Sequence, residues 1–471
     1  MTRGRLVVHG HFYQPSRIDP FSGEVLPDPA AAPFHDWNAR IASECYGPNA
    51  ERGNPHRMSF DLGPTLAAWL QHHEPAAHAG FTDTLAASNA MAQAYHHTIL
   101  PLASAADRRT EIRWGLRDFA HRFGRPARGM WLPETALDLA TLRVLAEEGV
   151  RYTILAPWQA ADAHLDPRRP YRVELGAGRS LNVVFYDAGL SSAVSFEPSA
   201  TADAERFARE RVAPRLGDAS FDDGTAPLAV IATDGELYGH HQPFRELFLQ
   251  RLLDPPPGGH DRGFDVVGLA DALDAPADQP FPTVNIVERT SWSCHHGVMR
   301  WSEECPDARD GRWKGPLRAA LERLAASMDA VIEREFANLP GSPDPWACRD
   351  AYVDVVVGAV EGPAFAAARL GEGAAARHVA RMLDLLEAVR WRLAMFASDG
   401  WFWDDPMRVE TRQCLRAAAR AVRLIDGAAG THLEPRLVAD LGVLSSPESG
   451  LDGAAIYRAA LAEVGQPSSA A

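Results

Sequence analysis

The sequence predicts an α/β domain over residues 1–290 followed by a helical domain over residues 291–471. Short runs dense in Val, Ile and Leu alternate with amphipathic stretches through the first part of the chain. Those runs have the length of strands buried on both faces, and none recurs beyond about residue 290. Alternation of this kind implies a parallel sheet, closed as a barrel or open and doubly wound.

Residues 5–8 form the first expected strand. Residues 109–123 read as a helix, 128–132 as a strand, and 136–149 as a helix with Leu139, Leu142, Leu145 and Ala146 at helical spacing. Strands are expected at 152–155, 181–186 and 228–232, helices at 241–253 and 264–273, and a last strand at 283–287. Residues 254–259 and 274–282, rich in Pro, Gly and Asp, read as loops. Helices then follow at 316–339, 347–360, 364–396, 407–429 and 453–464. The long 364–396 stretch carries Leu383, Leu386, Val389, Leu393 and Phe396 on one stripe, which suits a bundle.

The 471 residues hold 47 Lys+Arg against 62 Asp+Glu, a formal charge of −15, with 46% apolar and 23% charged residues. That is a globular composition, and its negative field disfavours nucleic acid. Lys314 is the only lysine, so a lysine Schiff base has one candidate. No stretch resembles a signal peptide or a membrane span. Cys45, Cys294, Cys305, Cys348 and Cys414 form no CxxC pair, and read as reduced thiols of a cytoplasmic protein rather than a disulfide framework or zinc knuckle.

Four polar clusters fall at expected strand ends or between elements. In parallel α/β folds the C-terminal ends of the strands share one pocket. The first is His9-Gly-His11-Phe-Tyr-Gln14-Pro15, whose two histidines point to one side if extended. The second is Trp131-Leu-Pro-Glu134, a flat indole beside a carboxylate on a stiffened turn. The third is Asp234-Gly-Glu236-Leu-Tyr-Gly-His240-His241, in which the strand delivers Asp234 and Gly235 permits a tight turn. If the chain stays extended, Glu236 lies about 6–7 Å further along on the same side, placed to hold a hydroxyl or a histidine. The fourth is Tyr95-His-His97-Thr-Ile-Leu-Pro101. Taken singly, each could be a loop histidine, a solvated carboxylate, an Asp-Gly turn or a helix end. Together, Glu134 and Asp234 are the two carboxylates that glycoside hydrolysis requires, one attacking and one donating a proton.

These clusters, in this order, resemble the short conserved regions of glycoside hydrolase family 57. The resemblance implies an incomplete (β/α)7 barrel followed by helices, and a retaining hydrolase or glucanotransferase acting on α-glucans without a metal or other cofactor. It implies Glu134 as nucleophile and Asp234 as general acid/base, with maltooligosaccharide as the partner. His11, Gln14, His97, Trp131, Glu236 and His240 are the implied substrate-binding residues. Trp292-Ser-Cys-His295-His296, with Trp301 beyond, resembles the fifth region and adds His295, His296 and Trp301 to that set. Tyr13 stands where members often carry a second histidine, and His241-Gln242 where branching enzymes often carry two tryptophans. The helical domain is expected to pack on the barrel and complete the site.

Two rival readings come from other classes. His9, His11, His240 and Asp234 could bind zinc as in amidohydrolase-type barrels, which leaves the Trp-Leu-Pro-Glu cluster without a task. A carbohydrate-binding protein without turnover would keep the aromatic residues and lose only the chemistry.

Overall fold

Strand β1 (Gly4–Phe12) is the centre of the structure's main sheet, pairing in parallel with β2 (Ser59–Leu62) on one edge and β8 (Leu228–Asp234) on the other. The structure is a computed structural model and describes residues 3–462 except 218–220, 222–223, 257, 259, 274–280 and 372. Strands β3 (Ala90–Gln93) and β4 (Met130–Trp131) extend the sheet in the order β4-β3-β2-β1-β8. Beyond β4 a parallel bridge from Gly129 to Tyr152 leads to a second sheet of β5 (Tyr152–Leu155), β7 (Arg179–Phe185) and the antiparallel β6 (Tyr171–Gly176). On the other side the Asp187 N–H donates to the Val230 carbonyl at 2.7 Å, tying the β7 end to β8. The result is a parallel-strand half-barrel.

Its interior follows from strand parity. Val7, Met91, Ile154, Val184 and Val230 come from five strands and pack with Trp131, Tyr152 and Tyr186 in one buried cluster. Residues two and four further along β1 on the same face are His9 and His11, and four beyond Val230 on β8 is Asp234. The same face therefore changes from apolar to polar towards the C-terminal ends. That is where the site lies.

Helices flank the strands through local signals. Asp138 accepts from the Thr141 N–H to start the Leu139–Glu147 helix, and Asp187 caps Ala188–Phe196 through the Leu190 N–H.

Packing divides the chain into two units. One comprises Met1–Gln14, Pro27–Tyr95 and Arg122–Trp292; the other comprises Pro15–Leu26, His96–His121 and Ser293–Ala471. The second unit is helical, built on Lys314–Ala337, Ala376–Ala394 and Val409–Ala429, with Leu386, Val389 and Leu393 of the expected stripe buried. Among the described residues, no helix is long and apolar enough to cross a membrane.

Several expected elements differ. The helix expected at 364–396 is two, Gly362–Leu370 and Ala376–Ala394, because Gly371 and Gly373 take φ of 91° and 85° between them. The 347–360 stretch likewise divides into Pro345–Ala351 and Val353–Val356. The 241–253 helix begins only at Arg245, after Pro243 and a left-handed Phe244. Residues 264–266 are strand β9 (Phe264–Val266), paired with the start of β1, and only Leu269–Ala272 is helical. The strand expected at 283–287 is reduced to isolated bridges, Thr283 to Arg172 and Ile286 to Ala160. Most of the loop expected at 274–282, parts of the 254–259 loop and the end of the 453–464 helix lie outside the described residues.

Candidate active site

The register of the main sheet sets Asp234 of β8 beside His11 of β1, and His11 beside Asp61 of β2. Asp61 is the hub. Its Oδ1 meets His9 Nε2 at 3.0 Å, and its Oδ2 meets His11 Nδ1 at 2.8 Å and accepts from Gln93 Nε2 at 2.9 Å. Ser59 Oγ holds the other nitrogen of His9 at 3.1 Å. Burial alone would drive His11 towards its neutral form; the charge and hydrogen bond of Asp61, with Asp234 and Glu236 nearby, instead raise it to about 9. Burial would likewise raise Asp61, yet the two histidines hold it below the usual carboxylate range. His9 is lowered by its burial despite the same carboxylate. The pair is thus a buried imidazolium and carboxylate directly beside Asp234.

Trp131 lies behind this network. Its ring stacks on His9 at 5.0 Å and on His11 at 4.9 Å, and it is wholly buried. With both histidines against it, the buried indole supports the site from behind rather than lying open as the substrate-binding residue that the resemblance implied. Trp292 closes the cluster edge-on, 5.0 Å from Trp131 and 6.1 Å from His11.

Glu134 sits on the turn after β4 with φ 58° and ψ 21°, and Thr135 follows with φ 48°. A left-handed conformation at a non-glycine residue costs on the order of 1–3 kcal/mol and needs outside support. Trp292 supplies it twice, donating its backbone N–H to the Glu134 carbonyl and its Nε1 to Glu134 Oε2, both at 3.0 Å. Behind the turn, the Thr135 hydroxyl donates to Gln159 Oε1 at 3.0 Å. The half-buried carboxylate is thereby fixed in direction.

Asp234 ends β8 with its side chain exposed, although protein packs densely around it. That surrounding raises its carboxyl above the usual range, against His11 and His241 and with Asp61. The chain then turns at once into Gly235–Leu237, so the extended run expected to carry Glu236 does not persist. A Cβ at Gly235 would lie 2.4 Å from the Phe12 ring, and one at Gly239 only 2.3 Å from the Glu44 carbonyl, so both positions need glycine. The turn buries Glu236, whose Oε1 accepts from Tyr46 Oη at 2.6 Å and from the Tyr13 N–H at 3.3 Å. Burial raises it to about 7, with Asp234 adding to the shift. Gln14 reaches the same Tyr46.

The remaining expected residues divide. His240 is half-buried against Glu44 and the edge of Trp37. Among the described residues, His9, His11, His240 and Asp234 form no group of converging donor atoms, which removes the geometric basis of the zinc reading. His97, His295, His296 and Trp301 belong to the second unit. There, His97 Nδ1 meets Ser398 Oγ at 2.6 Å, His296 faces Asp307, and Trp301 is wholly buried, with its carbonyl accepting from Arg318 Nε. Asp61, Gln93 and Tyr46 were missed. Asp61 had a signal, because Ser59-Phe-Asp61-Leu alternates polar and apolar as a half-buried strand does.

Residues 50–254 match the family model described as glycosyl hydrolase family 57, and residues 310–465 match a domain of unknown function, DUF3536. No curated protein sequence matches the chain. Among solved structures, an exo-type maltose-forming amylase from Pyrococcus sp. ST04 is similar at 14% identity and a TM-score of 0.75, over 97% of this chain and 88% of that one. A branching enzyme from Thermococcus kodakaraensis is similar at 15% identity and a TM-score of 0.62, over 98% and 94%. An α-amylase from Thermotoga maritima is similar at 13% and 0.57, over 97% and 98%. At these identities the structures speak for the fold, while residues 50–254, which hold both strand-end carboxylates, match the glycosyl hydrolase family 57 model.

Proposed function

We propose that the chain is a retaining glycosidase or glucanotransferase acting on α-glucans, with Glu134 as nucleophile and Asp234 as general acid/base. The observation that carries this reading is that two carboxylates, from the mouths of β4 and β8, border one cluster of His11, Trp131 and Trp292 in different surroundings. Glu134 is aimed by an indole N–H. Asp234 is raised above the usual carboxylate range by the protein packed around it, the direction that an acid requires.

In the first step Glu134 attacks the anomeric carbon, the bond to the leaving oxygen breaks, and the Asp234 proton passes to that oxygen. In the second step a water or a sugar hydroxyl gives its proton to Asp234 and attacks the same carbon, releasing Glu134. Beside Asp234, Asp61 holds His11 charged, which places an imidazolium, suited to binding a sugar hydroxyl, at the strand ends. From Trp292 an edge-on row of aromatics runs through Tyr186 to Trp158, 43% exposed, which suits stacking of glucose rings. The buried, reduced cysteines accord with a cytoplasmic enzyme.

Maltooligosaccharides incubated with the purified protein, with and without glucose as acceptor, test this reading. Shorter products in both arms indicate hydrolysis, and longer ones that depend on the acceptor indicate transfer. Binding without any new product leaves the carbohydrate-binding reading in its place.

A further inference from the structure

Residues 293–313 join the two principal sequence regions without a strand or α-helix, through local turns and one 3-10 turn at Met299–Trp301. Their backbone hydrogen bonds are local and close no long-range ladder, so side chains must add to the fastening. Four side chains from it converge. Cys294 and Cys305 are buried, His296 and Asp307 stand at the surface, and their donor atoms all lie within 4.8 Å of one another. Cys294 Sγ is 3.5 Å from Cys305 Sγ and 3.7 Å from Asp307 Oδ2. His296 Nδ1 is 3.7 Å from Cys305 Sγ and 3.2 Å from Asp307 Oδ2.

We propose that Cys294, His296, Cys305 and Asp307 form a structural site for a divalent d10 cation, zinc above all. A disulfide requires a sulfur separation of about 2.0 Å, and the two thiols here stand well beyond it. With zinc–sulfur bonds of about 2.3 Å and zinc–nitrogen or zinc–oxygen bonds of about 2.0–2.1 Å, a tetrahedral site spaces its ligand atoms about 3.3–3.8 Å apart. Four of the six pairwise separations, 3.2–3.7 Å, fall at or within about 0.1 Å of that interval, and all six are within 4.8 Å. The motif is Cys-x-His, an eight-residue spacer and Cys-x-Asp, which a search for CxxC pairs passes over.

A second observation points the same way. The only lysine of the chain, Lys314, is wholly buried, and its Nζ has no hydrogen-bond partner among the described residues. It lies over the Trp313 ring and within electrostatic reach of both thiols. A buried ammonium without a hydrogen bond is costly, and Asp404 on one side is offset by Arg300 on the other. Two thiolates and a carboxylate around a divalent cation carry one net negative charge, which Lys314 balances. Binding converts two thiols to metal thiolates, neutralises no further group and releases two protons to solvent. Such a clip closes the Cys294–Asp307 loop on itself and fixes the lead into the Lys314–Ala337 helix.

The test uses the full chain, purified without chelators and measured for metal by plasma mass spectrometry, then reloaded with cobalt. The expected result is one zinc per chain, and a cobalt spectrum with tetrahedral visible bands and thiolate charge-transfer bands. Cys305→Ser should lower bound metal at least about tenfold, and Asp307→Asn should weaken retention against a competing chelator by about 10–100-fold. Circular dichroism of each variant separates loss of metal from loss of fold. A folded wild-type chain that takes up neither zinc nor cobalt would overturn the proposal. So would a cobalt spectrum unchanged by Cys305→Ser, or an intact mass two daltons low from a Cys294–Cys305 disulfide. None of these results bears on Glu134 or Asp234.

Discussion

The mouths of β4 and β8 each present one carboxylate, and the two are held in opposite ways. Glu134 stands on a left-handed turn that the chain tolerates only because Trp292 grips it at the backbone and at the side chain. Asp234 ends an ordinary strand, unstrained, and is modified by its surroundings rather than by its backbone. The difference teaches how one fold assigns two roles to one functional group. A nucleophile needs direction, so local strain and an indole donor set its aim. An acid needs a proton, so the protein packed around the exposed Asp234 supplies the upward shift while the backbone stays regular.

Substitutions can break that comparison, and the largest effect should come at β4. Glu134→Gln should lower kcat by about 10^4-fold or more with KM little changed, measured on maltooligosaccharides, since the amide preserves shape but cannot form the glycosyl ester. Asp234→Asn should cost about 10^2–10^4-fold on natural glucans and far less on substrates with good leaving groups, which need no proton. Equal losses on both substrate types would contradict the acid role. The wild-type rate should also fall at high pH as Asp234 loses its proton.

Asp61→Asn sharpens the comparison by removing the charge that His11 faces. His11 is raised to about 9 in the folded chain, so its charge stabilises the fold fully below its ordinary value of 6.5, and that contribution is lost as pH rises through about 9. In the variant its NMR titration should move back towards the ordinary range, and the rate should drop by about 10^2-fold as the cluster loses its alignment. An unmoved His11 titration would show that Asp61 is not its counter-charge.

The smallest effect is on stability alone. Glu236 is raised from 4.5 to about 7. Between those values the folded chain keeps a proton that the unfolded chain has released, so stability falls with rising pH across that window, by about 3 kcal/mol. Glu236→Gln should flatten this slope, seen as a thermal midpoint that changes less between pH 5 and pH 8 than in the wild type.

The half-barrel was legible because buried parallel strands announce themselves as apolar runs, as at 152–155 and 228–232. The hairpin partner β6 was not, since its half-buried Arg172 and exposed Glu174 break such a run, and neither was β9, whose three residues are too short for periodicity. In the site, Glu134, Asp234 and His11 were legible because each sits beside a turn residue or within a dense polar cluster. Asp61 had only the alternation of its short strand to mark it, Gln93 and Tyr46 had no such signal, and all three acquire their place through register and packing. The left-handed turn at Glu134 carries no glycine to mark it, and the Trp292 that stabilises it lies 158 residues away.

The central claim is that Glu134 forms the covalent bond to sugar. A fluorinated α-glucosyl fluoride, which forms its glycosyl-enzyme faster than it releases it, should leave one sugar on the chain, and peptide mass spectrometry should find it on Glu134. The Asp234→Asn variant should still accumulate the adduct, because fluoride leaves without a proton. A sugar bound at Glu236 or elsewhere, or turnover of an α-glucan with inverted anomeric configuration, would contradict the account.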